Sequence, residues 1–151
     1  MVLKGKVITE LEIRSPAAKF FNAYARQLHN LPNIVDNVHE GQLHEGDWHG
    51  IGSVKSWTFT TEGKVTTYKE SIEAIDDEKK SVSFNIFDGD VGEDYKNFKL
   101  HLHLIDKEEG GAITVWTIEY EKLNEDTKPP YRFLDIINLA TKDIDAHALK
   151  A

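Results

Sequence analysis

The chain has 151 residues, of which 40% are hydrophobic and 29% are charged, and its 18 basic and 26 acidic residues give a formal net charge of -8. This length and composition suit one globular domain spanning 1–151 and exclude a disordered chain. The acidic balance, with no basic cluster, argues against nucleic acid as a partner because phosphates would be repelled. The sequence contains no cysteine, so no disulfide forms, and we expect a cytoplasmic location.

No stretch of the sequence approaches the roughly 20 apolar residues that a membrane span needs. The first six residues, Met1 to Lys6, alternate apolar and basic side chains, which indicates a strand and not a signal peptide. We therefore expect no membrane insertion.

Apolar and polar residues alternate along seven segments, and a period of two is typical of β-strands with one buried face. The predicted strands are Val2 to Ile13, Asp36 to Glu45, Ser53 to Phe59, Val65 to Ile75, Ser81 to Phe87, Tyr95 to Ile105 and Ala112 to Lys122. Turn residues separate them, including Glu62-Gly63, the run Asp76 to Lys79 and a predicted loop at Asp88-Gly89-Asp90. Short turns between consecutive strands predict an antiparallel sheet.

Two short helices are predicted after the first strand. Ser15 followed by Pro16 is a helix-start signal, with Ser15 as N-cap and Pro16 at the first helical position. Pro32 interrupts any continuous helix, so a second short helix or turn is expected near residues 31–34.

The segment from Lys128 to Ala151 predicts one long C-terminal helix, with Pro129 and Pro130 in its first turn. Apolar residues recur on one face at spacings of three and four: Phe133, Ile137, Ala140, Ile144 and Ala148. So broad an apolar face needs a large partner surface, which the strands supply. We predict an α+β helix-grip fold, in which a curved seven-stranded antiparallel sheet wraps around this helix.

Three glycines, Gly46, Gly50 and Gly52, lie between the second and third predicted strands. Such a run can cradle a phosphate when a helix and a Gly-Lys-Ser/Thr sequence follow it. Here a strand follows, so a glycine-rich hairpin is the favoured interpretation.

The inward faces of the strands and of the last helix define the candidate ligand contacts. Alternation and helical spacing select fourteen positions, most of them apolar: Val38, Trp57, Phe59, Ile72, Val82, Phe84, Ile86, Phe98, Leu100, Leu102, Thr114, Trp116, Phe133 and Ile137. These side chains either fill a core or line a hollow for an apolar guest. The pattern alone favours the filled core.

Three polar residues share the inward parity, namely Lys55, Tyr68 and Glu70. A carboxylate in an apolar hollow is costly unless it is paired, or else its pKa rises toward neutrality. Two interpretations remain: Lys55 and Glu70 form a structural ion pair or a solvated cavity mouth, or they anchor a ligand and exchange protons, with the Tyr68 hydroxyl nearby.

No metal site is predicted. His101 and His103 share one strand face, but that face should be the outer one and no third ligand is evident. Histidines 39, 44 and 49 surround the glycine-rich loop, where turn-surface positions or the entrance of a hollow both suit them. The acidic runs at 76–78 and 88–90 lack the twelve-residue calcium pattern and indicate solvated turns.

Six blocks of residues, spread over nearly the whole chain, have a composition and spacing that are specific to one protein family. They are Leu43 to Trp48, Gly52-Ser53-Val54 with Trp57, Ile72 to Asp76, Gly89-Asp90, Tyr95-Lys96 with Phe98, and Trp116 to Glu125. The blocks closely resemble the major latex protein family, a plant branch of the Bet v 1 and pathogenesis-related class 10 superfamily. The sequence departs from the allergen branch in its glycine-rich loop, where Gly46, Gly50 and Gly52 replace a denser run of glycines.

The resemblance implies a plant source, the helix-grip fold with two short helices at one end, and an internal cavity for hydrophobic ligands. The implied function is binding of a hydrophobic small molecule, such as a terpenoid, steroid, lipid or phenolic, in specialised metabolism or defence, with no cofactor and with the oligomeric state open.

Enzymes of the superfamily that condense or isomerise alkaloid intermediates, or guide iridoid cyclisation, imply an alternative. This is a cofactor-independent cyclase or isomerase that uses Glu70, Tyr68 and Lys55 for proton transfer or anchoring. The alkaloid-condensing relatives use a lysine and an acid. Lys55 and Glu70 resemble that pair only in sharing the inward face of their strands, and they do not reproduce a motif. Ribonuclease activity, claimed for some class-10 relatives, is disfavoured by the acidic balance.

Overall fold

The computed structural model describes residues 3–150, and its main feature is a seven-stranded antiparallel sheet with the order β1-β7-β6-β5-β4-β3-β2. The strands are β1 (Lys4–Ile13), β2 (Val38–Glu45), β3 (Val54–Thr61), β4 (Lys64–Asp76), β5 (Ser81–Phe87), β6 (Tyr95–Asp106) and β7 (Ala112–Lys122). The predicted seven strands and their antiparallel pairing are confirmed. The part of the predicted first strand at Val2 lies outside the described residues.

Helices cover the concave side and one end of the sheet. They are α1 (Ala17–Tyr24), a 3-10 turn (Leu28–Asn30), α2 (Leu31–Ile34), α3 (Gly89–Asp94) and α4 (Tyr131–Lys150). The predicted helix-grip architecture, with a long C-terminal helix held by a curved sheet and short helices beside it, is confirmed. None of the helices in this part of the chain is long and apolar enough to cross a membrane.

Helix α4 begins at Tyr131, three residues later than predicted, so Pro129 and Pro130 precede the helix and do not form its first turn. The carbonyl oxygen of Lys128 instead accepts a hydrogen bond from the Tyr95 hydroxyl at 2.6 Å, which holds this segment against β6. The predicted last residue of the helix, Ala151, lies outside the described residues.

The predicted cap of α1 is wrong. Pro16 occupies the N-cap position with extended backbone, and Ser15 lies before the helix. The N–H of Ala17 donates instead to Asp106 Oδ1 at 2.9 Å, so a carboxylate at the end of β6 satisfies a free N–H of the first turn. The Ser15 hydroxyl is directed to Asp145 of α4.

The predicted loop at Asp88-Gly89-Asp90 is the start of the short helix α3. Gly89 has a positive φ of 56°, and a Cβ there would lie 2.2 Å from the carbonyl oxygen of Thr67. Asp90 Oδ2 accepts the Thr67 N–H at 2.8 Å, which fastens α3 to β4. This tertiary contact explains why residues typical of a turn form helix here.

Burial along the strands follows the predicted alternation except at register shifts in β2, β4 and β6. The pairing of β4 with β5 shifts register between Ile72 and Ala74, and this bulge turns Ala74 to the exposed side although parity places it inward. Such an extra residue reverses the alternation beyond it. The inward side chains nearer the centre of the sheet, including Glu70 and Ile72, remain buried.

Helix α4 lies across the concave face of the sheet and buries six residues against it: Phe133, Ile137, Thr141, Ile144, Asp145 and Ala148. Hydrogen bonds at two of these buried residues, Thr141 and Asp145, help to fix its position. Trp116 Nε1 of β7 donates to Thr141 Oγ1 at 3.0 Å. Asp145, 9% exposed, accepts hydrogen bonds from the Arg14 N–H and from both the N–H and hydroxyl of Ser15.

Candidate ligand-binding cavity

A cavity of about 80 Å³ lies between α4 and the sheet. Its wall combines side chains of α1, α2 and α4 with inward residues of the sheet: Tyr24, Leu31, Val35, Val38, Trp57, Phe59, Tyr68, Glu70, Leu100, Trp116, Ile136, Ile137, Ala140 and Ile144. Most of these groups are apolar, and the polar ones are few. Such a wall is typical of sites for small apolar molecules.

The cavity is smaller than the roomy hollow implied by the family resemblance. One water needs roughly 10–15 Å³ of such space, so about 80 Å³ holds on the order of five to eight waters. Drug-sized ligands occupy pockets of roughly 300–1,000 Å³. The Tyr24 ring of α1 takes up part of the space, because it packs edge-to-face on Trp116 at 5.5 Å and on Phe84 at 6.1 Å between ring centroids.

The predicted ligand contacts divide into two groups. Six of the fourteen line the cavity: Val38, Trp57, Phe59, Leu100, Trp116 and Ile137. The other eight are buried but do not line it: Ile72, Val82, Phe84, Ile86, Phe98, Leu102, Thr114 and Phe133. They pack directly on neighbouring side chains, as Phe98 does on Phe133 at 5.3 Å, and so form core around the cavity. Alternation gives the face of a strand but not which of its inward residues meets a void.

Six lining residues were not among the predicted ligand contacts, namely Tyr24, Leu31, Val35, Ile136, Ala140 and Ile144. Five of them lie on helices, and Val35 directly follows α2. Helical spacing did place Ala140 and Ile144 on the inward face of α4. For Tyr24, the adjacent aromatic residues of α1 were a signal for burial but not for contact with the cavity.

Lys55 is fully buried, with 0% exposure, and it lies opposite Glu70 on the neighbouring strand. Its Nζ donates to Ser53 Oγ at 3.0 Å and forms no salt bridge with a carboxylate of the described residues. The direct ion pair of Lys55 and Glu70, one of the interpretations that the sequence left open, is therefore not formed, and Lys55 does not line the cavity. Burial lowers the pKa of Lys55, while the more distant charges of Glu70 and Asp47 oppose that shift.

Glu70 lines the cavity and is only 3% exposed. Its Oε2 accepts a hydrogen bond from Trp57 Nε1 at 3.0 Å, whereas Oε1 has no hydrogen-bond partner among the described residues. Burial raises the pKa of Glu70, against the smaller opposing effects of the Lys55 charge and the Trp57 hydrogen bond. The carboxyl group therefore gains or loses its proton at a pH closer to neutrality than the carboxyl group of an exposed glutamate does.

The two cavity tyrosines, Tyr24 and Tyr68, present hydroxyl groups that make no hydrogen bond within residues 3–150. Burial raises the pKa of both, and the nearby Glu70 carboxylate raises it further. Both groups therefore stay as neutral phenols, which can donate one hydrogen bond and accept others.

The glycine-rich segment forms a hairpin between β2 and β3, as predicted, and packs onto the 3-10 turn. His49 Nε2 accepts the Leu28 N–H at 3.2 Å, so its proton resides on Nδ1. Burial, then the charges of His29, Lys55 and Arg26, lower the pKa of His49, and Asp47 opposes them. The neighbouring Trp48 ring lies 5.8 Å from that of Trp57, so the loop contacts a cavity residue through one aromatic pair.

Three other histidines contact polar side chains on neighbouring strands. His39 contacts Thr60 Oγ1 at 2.6 Å, and His44 contacts Ser56 Oγ at 3.0 Å. His101 lies on the outer face, as predicted, with Ser83 Oγ at 2.7 Å from Nδ1 and Glu119 Oε1 at 3.3 Å from Nε2. Within residues 3–150, no three histidine, aspartate or glutamate side chains are grouped so as to hold a metal ion.

A curved antiparallel sheet closed by a long C-terminal helix over a small internal cavity defines the class of helix-grip proteins. The model of the pathogenesis-related protein Bet v 1 family matches residues 2–151, and the chain belongs to this family, which is known for ligand binding.

The relatives narrow the branch of the family. The chain is 38% identical over 149 residues to MLP-like protein 43 of Arabidopsis thaliana, covering 97% of this chain and 94% of that protein. It is 33% identical over 147 residues to major latex protein 146 of Papaver somniferum, covering 96% and 91%. The crystal structure of ginseng major latex-like protein 151 from Panax ginseng superposes with a TM-score of 0.91 at 37% identity, covering 97% of this chain and 98% of that one.

Proposed function

We propose that this chain, acting as one domain over 1–151, binds a hydrophobic small molecule in its internal cavity and serves plant specialised metabolism or defence in the cytoplasm. The observation that carries the proposal is the cavity between α4 and the sheet, with an apolar wall and three polar groups, Glu70, Tyr24 and Tyr68. Apolar surface provides affinity for such ligands, and a few convergent polar groups fix their orientation.

The volume narrows the range of ligands. Space for five to eight waters corresponds to an organic molecule on the order of ten non-hydrogen atoms, the size of a monoterpene or a simple phenolic. Steroids and long lipids would require Tyr24 or the wall of α4 to move. Among the four classes that the family resemblance implies, we therefore favour the small terpenoids and phenolics.

A blocked cavity tests this function. Ala140 of α4 lines the cavity, so Ala140→Phe should fill it, while Ala146→Phe adds the same ring to an exposed position of the same helix. Calorimetric titration with a panel of monoterpenes and phenols should give saturable one-to-one binding to the unchanged chain and to Ala146→Phe, and a loss of at least tenfold in Ala140→Phe. The absence of any binder at tens of micromolar would overturn the proposal.

One observation favours the catalytic alternative, a cofactor-independent isomerase or cyclase. Burial raises the pKa of Glu70, and its Oε1 is free at the cavity wall, so it can transfer a proton to a bound guest. Glu70→Gln should then abolish turnover of a reactive terpenoid while leaving its binding in place. Turnover that is unchanged in this variant would remove the catalytic role.

A further inference from the structure

The unused hydrogen-bonding capacity of the cavity wall is concentrated in three groups. The two indole N–H groups in the wall are occupied, since Trp57 donates to Glu70 and Trp116 donates to Thr141. The atoms of the wall without a partner are Glu70 Oε1 and the hydroxyl oxygens of Tyr24 and Tyr68. All three are oxygen acceptors, and one of them belongs to a carboxyl group that is 97% buried.

The rest of the wall combines aromatic rings with aliphatic side chains. Five ring-bearing side chains surround about 80 Å³: Tyr24, Trp57, Phe59, Tyr68 and Trp116. The ring faces of tryptophan, tyrosine and phenylalanine attract cations, and the attraction strengthens when the cation is desolvated. Among residues 3–150 no basic side chain lines the cavity, since Lys55 is directed to Ser53.

We propose that the cavity binds a small apolar amine as its ammonium ion, with the nitrogen against Glu70 Oε1 and the hydrocarbon body among the aromatic rings. The inference rests on the proposed function and specifies the ligand class of the same site. The ammonium N–H groups donate to Glu70 Oε1 and to the hydroxyl oxygens of Tyr24 and Tyr68, so all three unpartnered acceptors gain a donor.

The charges around Glu70 determine how such a ligand binds. Tyr24 of α1 and Tyr68 of β4 face it as neutral phenols, and Lys55 of β3 is the one cationic group near it among the described residues. Burial raises the pKa of Glu70, so the free site retains a proton over a wider pH range than an exposed glutamate. Within that pH range an entering ammonium ion takes the place of this proton, so that binding releases a proton to the solvent.

The same three groups could also bind a neutral ligand, and the experiment must distinguish that case from amine binding. A protonated Glu70 with two phenols is also a set of three donors, which would favour a ketone or another neutral acceptor. Anionic ligands find no countercharge in the wall. Four probes of nearly equal shape distinguish the cases: benzylamine, benzyl alcohol, ethylbenzene and acetophenone. The first three have eight non-hydrogen atoms each, which suits the volume.

The experiment is isothermal titration of the full chain with each probe at several pH values between 5 and 8. Benzylamine should bind about tenfold or more tightly than benzyl alcohol and ethylbenzene at the upper end of this range, and its affinity should rise as Glu70 loses its proton. Repeating the titration in buffers of different ionisation enthalpy should reveal proton release with benzylamine only. This measurement needs no variant.

Glu70→Gln keeps the shape of the side chain and an acceptor for Trp57, and it should remove the preference for benzylamine while sparing ethylbenzene. Glu73→Gln is the matched control, because Glu73 lies on the same strand but is exposed and pairs with Lys99 at 3.2 Å. It should leave all four affinities unchanged.

Each outcome decides the matter. Equal affinities for all four probes, tighter binding of acetophenone, or an undiminished benzylamine preference in Glu70→Gln would overturn the amine assignment and leave the proposed function standing. Failure of every probe and of the terpenoid and phenol panel would overturn both.

Discussion

Asp145 offers the sharpest test of how α4 is held on the sheet. Its carboxylate, 9% exposed, accepts hydrogen bonds from Arg14 N–H at 2.9 Å, from Ser15 N–H at 2.9 Å and from the Ser15 hydroxyl at 2.6 Å. Asp145→Ala removes all three acceptor contacts and leaves two backbone N–H groups without partners in a poorly hydrated place.

The magnitude follows from those contacts. A hydrogen bond to a charged group contributes about 1.5–3 kcal/mol, and an orphaned buried donor costs about 1–3 kcal/mol. Because the three contacts share one carboxylate, they are not additive, and we expect a loss of about 3–5 kcal/mol in the free energy of unfolding. At roughly 2–4 °C per kcal/mol for a chain of this size, the melting temperature should fall by about 10 °C. Asp145→Asn, which keeps one acceptor oxygen, should lose about half as much.

Urea unfolding followed by tryptophan fluorescence measures these differences, with Asp135→Ala as the matched control. Asp135 is an exposed residue of the same helix with no side-chain hydrogen bond or ion pair to the described part of the chain, and its replacement should change stability by less than about 0.5 kcal/mol. A double-mutant cycle of Asp145→Asn with Ser15→Ala should give a coupling of at least about 1 kcal/mol. If Asp145→Ala costs no more than Asp135→Ala, the polar fastening of α4 contributes nothing and the reasoning fails.

Three further predictions concern the cavity and its loop. The folded pKa of Glu70 is raised, so its contribution to stability is complete below the ordinary value of 4.5 and is lost as pH rises through the folded pKa. Glu70→Gln should therefore gain stability relative to the unchanged chain between pH 4.5 and 8 in urea titrations, and a constant difference would contradict the assignment. The folded pKa of His49 is lowered, so its contribution is complete above the ordinary value of 6.5 and is lost as pH falls through the folded pKa. Hydrogen exchange at the Leu28 amide, corrected for intrinsic rates, should accelerate from pH 7 to 5, and His49→Gln should flatten that dependence; equal slopes would exclude the imidazole. Tyr24→Ala should cost about 3–5 kcal/mol and should admit ligands larger than a monoterpene, as measured by calorimetry; a variant with unchanged ligand range would show that Tyr24 does not limit the cavity.

The sequence specifies the strands and their faces well, because a period of two is visible wherever one face is buried. Where the structure departs from the predicted strands and turns, the cause is an interaction with another part of the chain. Ala74 follows the inward parity, yet a bulge places it outside, and the residues of α3 suggest a turn until Asp90 binds the Thr67 N–H. Neither the bulge nor the hydrogen bond can be recognised from the local sequence pattern.

The candidate site is predictable only in part, for a similar reason. Parity places Glu70 and Tyr68 at the cavity and Lys55 inside the sheet, but it cannot give the direction of a lysine ammonium along its strand, which is toward Ser53. Nor can it locate a void, since that depends on how side chains from separate elements fill space. Tyr24 reaches the cavity from α1 and packs there on Trp116 of β7, which is far away in the chain.

The position of Tyr24 has a consequence for how such proteins diversify. Tyr24 is a buried residue of a helix of eight residues and belongs to no strand. A single replacement on that helix can alter the dimensions of the chamber without repatterning any strand. Selection for new guests can therefore act through a short helix, at a cost in stability but with the pairing of the sheet unchanged.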